Sequence, residues 1–230
     1  AFFNSNDIYP ISADSTLPFD QHRDIFYLSG IDQEESLLVL FPDSKDIEYK
    51  EMLFLRETNE YITHWEGEKL TKQQAKNISG INNIFWLGEF DNILKEVLSQ
   101  ADFVYINTNE HYRQNVQTQT REDRFINRLK NINGLKFKKS NPILQKQRSV
   151  KDQIEIELIK NACEITKKGF ERVLTFIKPG VWEYEIEAEF SHEFLRNRSR
   201  RFAYTPIIAS GRNSNFLHYG YNNTQCLDGE

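Results

Sequence analysis

Cysteine is scarce in this 230-residue chain: Cys163 and Cys226 are the only two. Two cannot staple a fold of this size, and such sparing use suits a reducing cytoplasm. Long apolar runs are also lacking. None approaches the roughly 20 residues of a membrane span, so no membrane partner is expected. The opening AFFNSNDIYP has no basic stretch and no long apolar one, and no secretory signal is expected. Positive charge is not in excess. The 29 Lys and Arg against 34 Asp and Glu give a net charge of −5, which offers no general attraction to nucleic acid or anionic lipid. A glycine-rich G-x-G-x-x-G turn, a P-loop and a G-x-S-x-G nucleophile elbow are all missing, so no phosphate cradle or hydrolase serine is visible. No internal repeat or low-complexity stretch occurs.

What is present reads as a globular chain. Apolar residues make up 39% and charged residues 27%, enough to bury a core in one large domain or two modest ones. Short apolar runs at Ile25–Leu28, Ser36–Phe41, Met52–Leu55, Ile84–Leu87 and Phe103–Ile106 read as strands. A turn near Ser44–Asp46 joins the second to the third. The stretch 69–78 tolerates a helix. Ile93, Leu94, Val97 and Leu98 form a helical face, as do Phe125, Ile126, Leu129 and Ile132. Strands separated by helices predict an α/β fold with a largely buried sheet. A boundary is expected at 140–150, where Lys138-Lys139-Ser140-Asn141-Pro142 breaks the pattern. A long helix follows, with Ser149 and Asp152 as its expected cap. Leu158, Ile159, Ala162, Ile165, Phe170, Val173 and Leu174 keep its helical rhythm. Lys178-Pro179-Gly180 stops it, and Trp182, Ile186, Phe190 and Phe194 mark a second helix. Phe202–Ala209 and Phe216–Tyr219 are expected to pair as strands around Gly211–Asn215.

Few residues carry an obvious chemistry. His192-Glu193 begins like a zinc helix, but Arg196 occupies the place of the second histidine, so His192 reads as a surface residue. Cys163, His192, His218 and Cys226 lack metal-ligand spacing. Cys163 is expected as a small core residue. Arg196, Arg198, Arg200 and Arg201 read as a solvated helix end. Three N-x-S/T sequons carry no meaning without a secretory signal. His218 stands out, in an apolar setting just after a polar turn. It is either a hydrogen-bonded strand histidine or a group that holds a substrate carbonyl.

Several segments together resemble the Xaa-Pro aminopeptidases (aminopeptidase P) of the creatinase/prolidase group. Asp24-Ile25-Phe26-Tyr27-Leu28-Ser29-Gly30 is similar to the family's D-F-x-Y-L-[ST]-G segment. His64-Trp65-Glu66-Gly67, after Met52–Arg56, resembles its W-x-G segment. Arg148-Ser149-Val150-Lys151-Asp152 through Glu155-Ile156 to Ala162 resembles the R-x-x-K-D-x-x-E-I helix that opens the catalytic domain. Lys178-Pro179-Gly180 resembles the link after it. Ile207-Ile208-Ala209-Ser210-Gly211-Arg212-Asn213 with Leu217-His218-Tyr219 resembles the family's S-G-x-N-x-x-x-L-H-Y hairpin. The order and spacing of these matches over nearly the whole chain make the combination specific.

The resemblance implies two parts. Residues 1–145 would form a creatinase/prolidase-type N-terminal α/β domain with a mixed sheet. Residues 146–230 would begin a pita-bread α+β catalytic domain. It implies hydrolysis of peptides with proline second, with two divalent metals, commonly manganese, activating a water. The family's five metal ligands, two Asp, one His and two Glu, follow the hairpin that holds His218. None is expected here, so no bound metal and no activity are expected of these 230 residues alone. By the same likeness His218 contacts substrate at the scissile bond as a catalytic residue, and Tyr204 lines the substrate pocket. X-Pro peptides, a homo-dimer or higher homo-oligomer and a cytoplasmic location complete the implied picture. Two alternatives stay open: a proline dipeptidase of the same architecture, and a non-catalytic pita-bread module that binds basic proteins, as in the large subunit of a eukaryotic histone chaperone. A nucleic-acid role ranks last, because the arginine cluster is short and the net charge has the wrong sign.

Overall fold

The computed structural model describes residues 1–13, 15–111 and 118–230. The chain divides into two compact units, Ala1–Ser149 and Val150–Glu230.

The first unit is built on a four-stranded mixed sheet in the order β1-β4-β5-β6. Its strands are β1 (Phe2–Asn4), β4 (Leu37–Leu40), β5 (Glu51–Leu55) and β6 (Asn83–Trp86). β1 and β5 each run antiparallel to β4, and β6 runs parallel to β5. A hairpin of β2 (Pro10–Ser12) and β3 (Ser15–Thr16) stands apart, and β7 (Val104–Ile106) pairs in parallel with β8 (Phe137–Lys139). Side chains alternate across a strand, and here both faces are covered. Phe2, Leu37, Val39, Met52 and Phe54 enter one apolar cluster with Leu94 and Val97 of α4 (Phe90–Gln100) and Phe125, Ile126 and Leu129 of α5 (Arg121–Lys130). Phe3, Leu38, Leu53 and Leu55 enter the other. There they meet Ile25 of α1 (Arg23–Ser29), Ala75 of α3 (Lys72–Ser79) and Leu144 of α6 (Asn141–Ser149). That is why these strands are continuous apolar runs rather than alternating ones. Each fully buried Leu or Phe contributes about 1.5–3 kcal/mol. The short α2 (Glu60–Glu66) follows β5, capped by the Asn59 side chain. The turn after β4 contains a 3₁₀ segment, Ile47–Tyr49, capped by Asp46.

One expected strand is a helix. Ile25–Leu28 lies inside α1, although its residues are β-prone. The ends decide the matter. The His22 side chain accepts from the Asp24 N–H at one end, and Gly30 takes a left-handed φ of 70° at the other. Helical spacing also turns Ile25 and Ser29 inward together, and the Ser29 hydroxyl donates back to the Ile25 carbonyl at 2.7 Å.

The second unit is a helix pair, α7 (Gln153–Phe176) and α8 (Glu183–Arg196), followed by an irregular segment. Asp152 caps α7 in a reciprocal box with Glu155, so the cap falls on Asp152 and not on Ser149. The helices approach closely at Gly169, where the Phe190 ring packs against the glycine. Phe170 meets Phe190 edge-on at 5.0 Å, and Arg172 pairs with Glu189. Val173, Val181, Ile186 and Cys226 form the buried cluster. Cys163 is exposed, contrary to the core position expected of it. Its helix turns that flank away from the α8 contact, and Leu158 and Ile159 beside it are exposed too.

The second departure lies after α8. Phe202–Ala209 and Phe216–Tyr219 are not strands. Their place is taken by bends and a 3₁₀ turn, Gly211–Asn215. The backbone here bonds to side chains instead of a ladder. The Ile208 N–H donates to Asn222 Oδ1 at 3.0 Å, and the Ser210 N–H to Glu183 Oε1 at 2.7 Å. The only extended pairing here among the described residues is the bridge of Trp182 with Gln225.

Candidate substrate-contact segment

The two residues with an expected substrate role both lie on this irregular segment. Tyr204 sits in a bend and is 75% exposed. His218 sits in a turn and is exposed. What fixes the segment is a buried carboxylate that the sequence did not single out. Glu183, the first residue of α8, is fully buried. Its Oε1 accepts from the Ser210 N–H at 2.7 Å, the Ser210 hydroxyl at 3.0 Å and Asn213 Nδ2 at 3.4 Å. Its Oε2 accepts from the Tyr219 hydroxyl at 2.7 Å and the Thr224 N–H at 3.0 Å.

Burial alone would push this carboxyl upward. The Tyr219 hydroxyl and the Ser210 and Thr224 N–H groups outweigh it and hold Glu183 below the usual carboxylate range. The helix N-terminus also favours a negative charge there. Every lone pair is committed, so Glu183 is a fastening and not a free base. A buried glutamate at the start of a helix reads in sequence as an ordinary acidic first turn. Only the distant partners Ser210, Tyr219 and Thr224 reveal its role.

A second fastening is Asn222. It is buried, with φ at 46°, a left-handed conformation that Asn tolerates. Its Nδ2 donates to Glu187 Oε2 at 2.8 Å and to the Pro206 carbonyl at 3.0 Å. Tyr219 and Asn222 are therefore both pinned to α8. His218, next to Tyr219 in the chain, is presented from a fixed backbone. A cleft of about 600 Å³ opens nearby, lined by Ile177, Glu183, Ile186, Ser210 and Cys226 among others. Neither Tyr204 nor His218 lines it.

The family model of the aminopeptidase P N-terminal domain matches residues 1–105, and that of metallopeptidase family M24 matches residues 157–230. By these two matches the chain resembles the aminopeptidase P group of M24 metallopeptidases. Xaa-Pro aminopeptidase of Escherichia coli is 29% identical over 221 residues, which are 95% of this chain and 50% of that protein. Human Xaa-Pro aminopeptidase 3 is 26% identical over 228 residues, 98% of this chain and 45% of that protein. Among solved structures, zinc-substituted E. coli aminopeptidase P in complex with product superposes with a TM-score of 0.83. It is 27% identical, over 99% of this chain and 52% of that one. The chain thus spans about half the length of the aminopeptidase P relatives it matches.

The family implies divalent metal cofactors. Among the described residues, no group of three or more His, Cys, Asp or Glu could hold a metal ion. The described residues do not fit that group. His192 is exposed on α8, and Arg196, Arg198, Arg200 and Arg201 are exposed at and beyond its end. Among the described residues no helix is long and apolar enough to cross a membrane.

Proposed function

We propose that this chain supplies the N-terminal domain, residues 1–145, and the opening of the catalytic domain, residues 146–230, of an Xaa-Pro aminopeptidase. The whole enzyme releases the first residue from peptides whose second residue is proline. In this reading its metal pair is manganese, held by residues outside these 230, and the chain alone is inactive. His218 donates to the carbonyl oxygen of the scissile bond as charge develops there, a role that needs a fixed and accessible imidazole. Tyr204 lines the substrate pocket. The enzyme is a homo-dimer or larger homo-oligomer of the cytoplasm.

One observation supports this most. Both family models match in their expected order, and the fold superposes on aminopeptidase P over 99% of the chain. Product analysis tests the substrate class. The chain, extended to the length of its relatives, is given a dipeptide X-Pro and longer X-Pro peptides. Release of the first residue from the longer peptides supports the aminopeptidase reading. Cleavage confined to the dipeptide overturns it in favour of a dipeptidase.

A further inference from the structure

Two residues carried by the family likeness, Asp24 and Arg148, lie 124 positions apart and meet within the first unit. Arg148 Nη1 donates to Asp24 Oδ1 at 2.8 Å. Asn107 Nδ2, just after β7, donates to the other Asp24 oxygen at 2.9 Å. The Arg148 guanidinium also lies 4.9 Å over the Tyr27 ring. Arg148 is the penultimate residue of α6, and Asp24 lies in the first turn of α1. The pair therefore ties the end of the unit's last helix to the start of its first. The Asp24 side chain is 14% exposed and that of Arg148 41%, so the carboxylate is sheltered while the guanidinium stays partly in solvent, which screens the pair in part.

The same turn contains a proton-sensitive part. The Asp24 N–H donates to His22 Nδ1 at 3.2 Å. An imidazole nitrogen accepts a hydrogen bond only while it carries no proton. Protonated at both nitrogens, His22 cannot cap α1, and it places a cation close to Arg148. We propose that His22, Asp24 and Arg148 form a proton-operated latch that holds α6 on α1 near neutral pH and loosens it in acid.

The surroundings are consistent with that direction. Burial pushes His22 below its ordinary range; the Asp24 carboxylate opposes this, and Arg23 and Arg148 reinforce it. Arg23 is itself paired with Asp20 at 2.9 Å. From α5, Arg121, Glu122 and Asp123 line the small polar cleft that also contains His22. The latch stands independently of the catalytic reading, because none of its residues belongs to the substrate-contact segment.

Amide hydrogen exchange on the full chain tests it, read on residues 141–149 between about pH 5 and pH 8 and corrected for the intrinsic pH dependence of exchange. Wild type is expected to lose protection of α6 by about fivefold as pH falls, the size of a lost cap. His22→Asn keeps a capping side chain that does not titrate, and its α6 should lose that response. Arg148→Met should lower α6 protection across the whole range, with Arg148→Lys between it and wild type. Protection of β5 reports that the unit is folded. An unchanged acid response in His22→Asn overturns the proposal, and so does wild-type α6 protection in a folded Arg148→Met. Should Arg148→Met not fold, His22→Asn and Arg148→Lys decide the matter.

Discussion

The Tyr219 hydroxyl donates to Glu183 Oε2 at 2.7 Å, across 36 residues of chain. This bond joins the segment of His218 to the first turn of α8. Removing the hydroxyl leaves a buried carboxylate oxygen with one donor fewer, which costs about 1–3 kcal/mol. Tyr219→Phe is therefore expected to lower the stability of the second unit by that amount. Urea unfolding followed by a probe in residues 150–230 measures it. A stability equal to wild type would show that the Glu183 fastening is not needed.

The tight contact of α7 with α8 at Gly169 supplies the next test. A Cβ on Gly169 would stand 2.7 Å from Phe190 Cδ1 and 3.2 Å from Phe194 Cε1. Alanine favours a helix interior over glycine by about 1 kcal/mol, while overpacking typically costs about 1–3 kcal/mol. The clash is with two rings that meet edge to face at 6.2 Å. Gly169→Ala is expected to destabilise the helix pair by about 1 kcal/mol net, read as a lower midpoint in thermal unfolding. A raised midpoint would mean that Phe190 swings aside.

The parts of the fold legible in the sequence are those fixed by local pattern. Leu37–Leu40, Met52–Leu55 and Val104–Ile106 are apolar runs bounded by turns, and all are strands. The helical faces of α4, α5 and α8 follow from their spacing. The α1 segment was misread because Ile25–Leu28 is β-prone, and its caps at His22 and Gly30 outweigh propensity. The strand Phe2–Asn4 gave no signal: three residues are too few for periodicity to register. Residues 202–219 failed for a different reason. The backbone groups of Pro206, Ile208 and Ser210 bond to the side chains of Asn222 and Glu183, tertiary contacts that no local pattern encodes. His218 stands out in the sequence by its setting and by family likeness, whereas Glu183, which fastens the segment beside it, has no motif of its own.

A half-buried acid in the first unit predicts a pH response. Glu122 is pushed up from 4.5 to about 7, mainly by burial, against hydrogen bonds from Asn4 that lower it. Asn4 Nδ2 donates to Oε2 at 2.8 Å, and the Asn107 backbone also favours the charged form. A carboxyl whose folded pKa is raised favours the folded state fully below its unfolded value and loses that advantage as pH rises through the folded one. The contribution is thus present below about pH 4.5 and is lost toward pH 7, by an amount on the order of 3 kcal/mol. Glu122→Gln should remove this loss and leave the first unit more stable than wild type at about pH 8. Denaturation midpoints across pH measure it. A wild-type protein whose stability gains on Glu122→Gln equally at all pH values would contradict the assignment.

As proposed above, these 230 residues would hold the substrate-contact histidine of an Xaa-Pro aminopeptidase but not its metal centre. The most direct measurement is hydrolysis of an X-Pro peptide with added manganese, using the 230-residue chain, a version extended to the length of its relatives, and that version with His218→Ala. Turnover is expected only in the extended protein, with kcat lower by about 10²-fold in His218→Ala. Metal-dependent turnover in the 230-residue chain, silence in both chain lengths, or full activity without His218 would contradict this expectation.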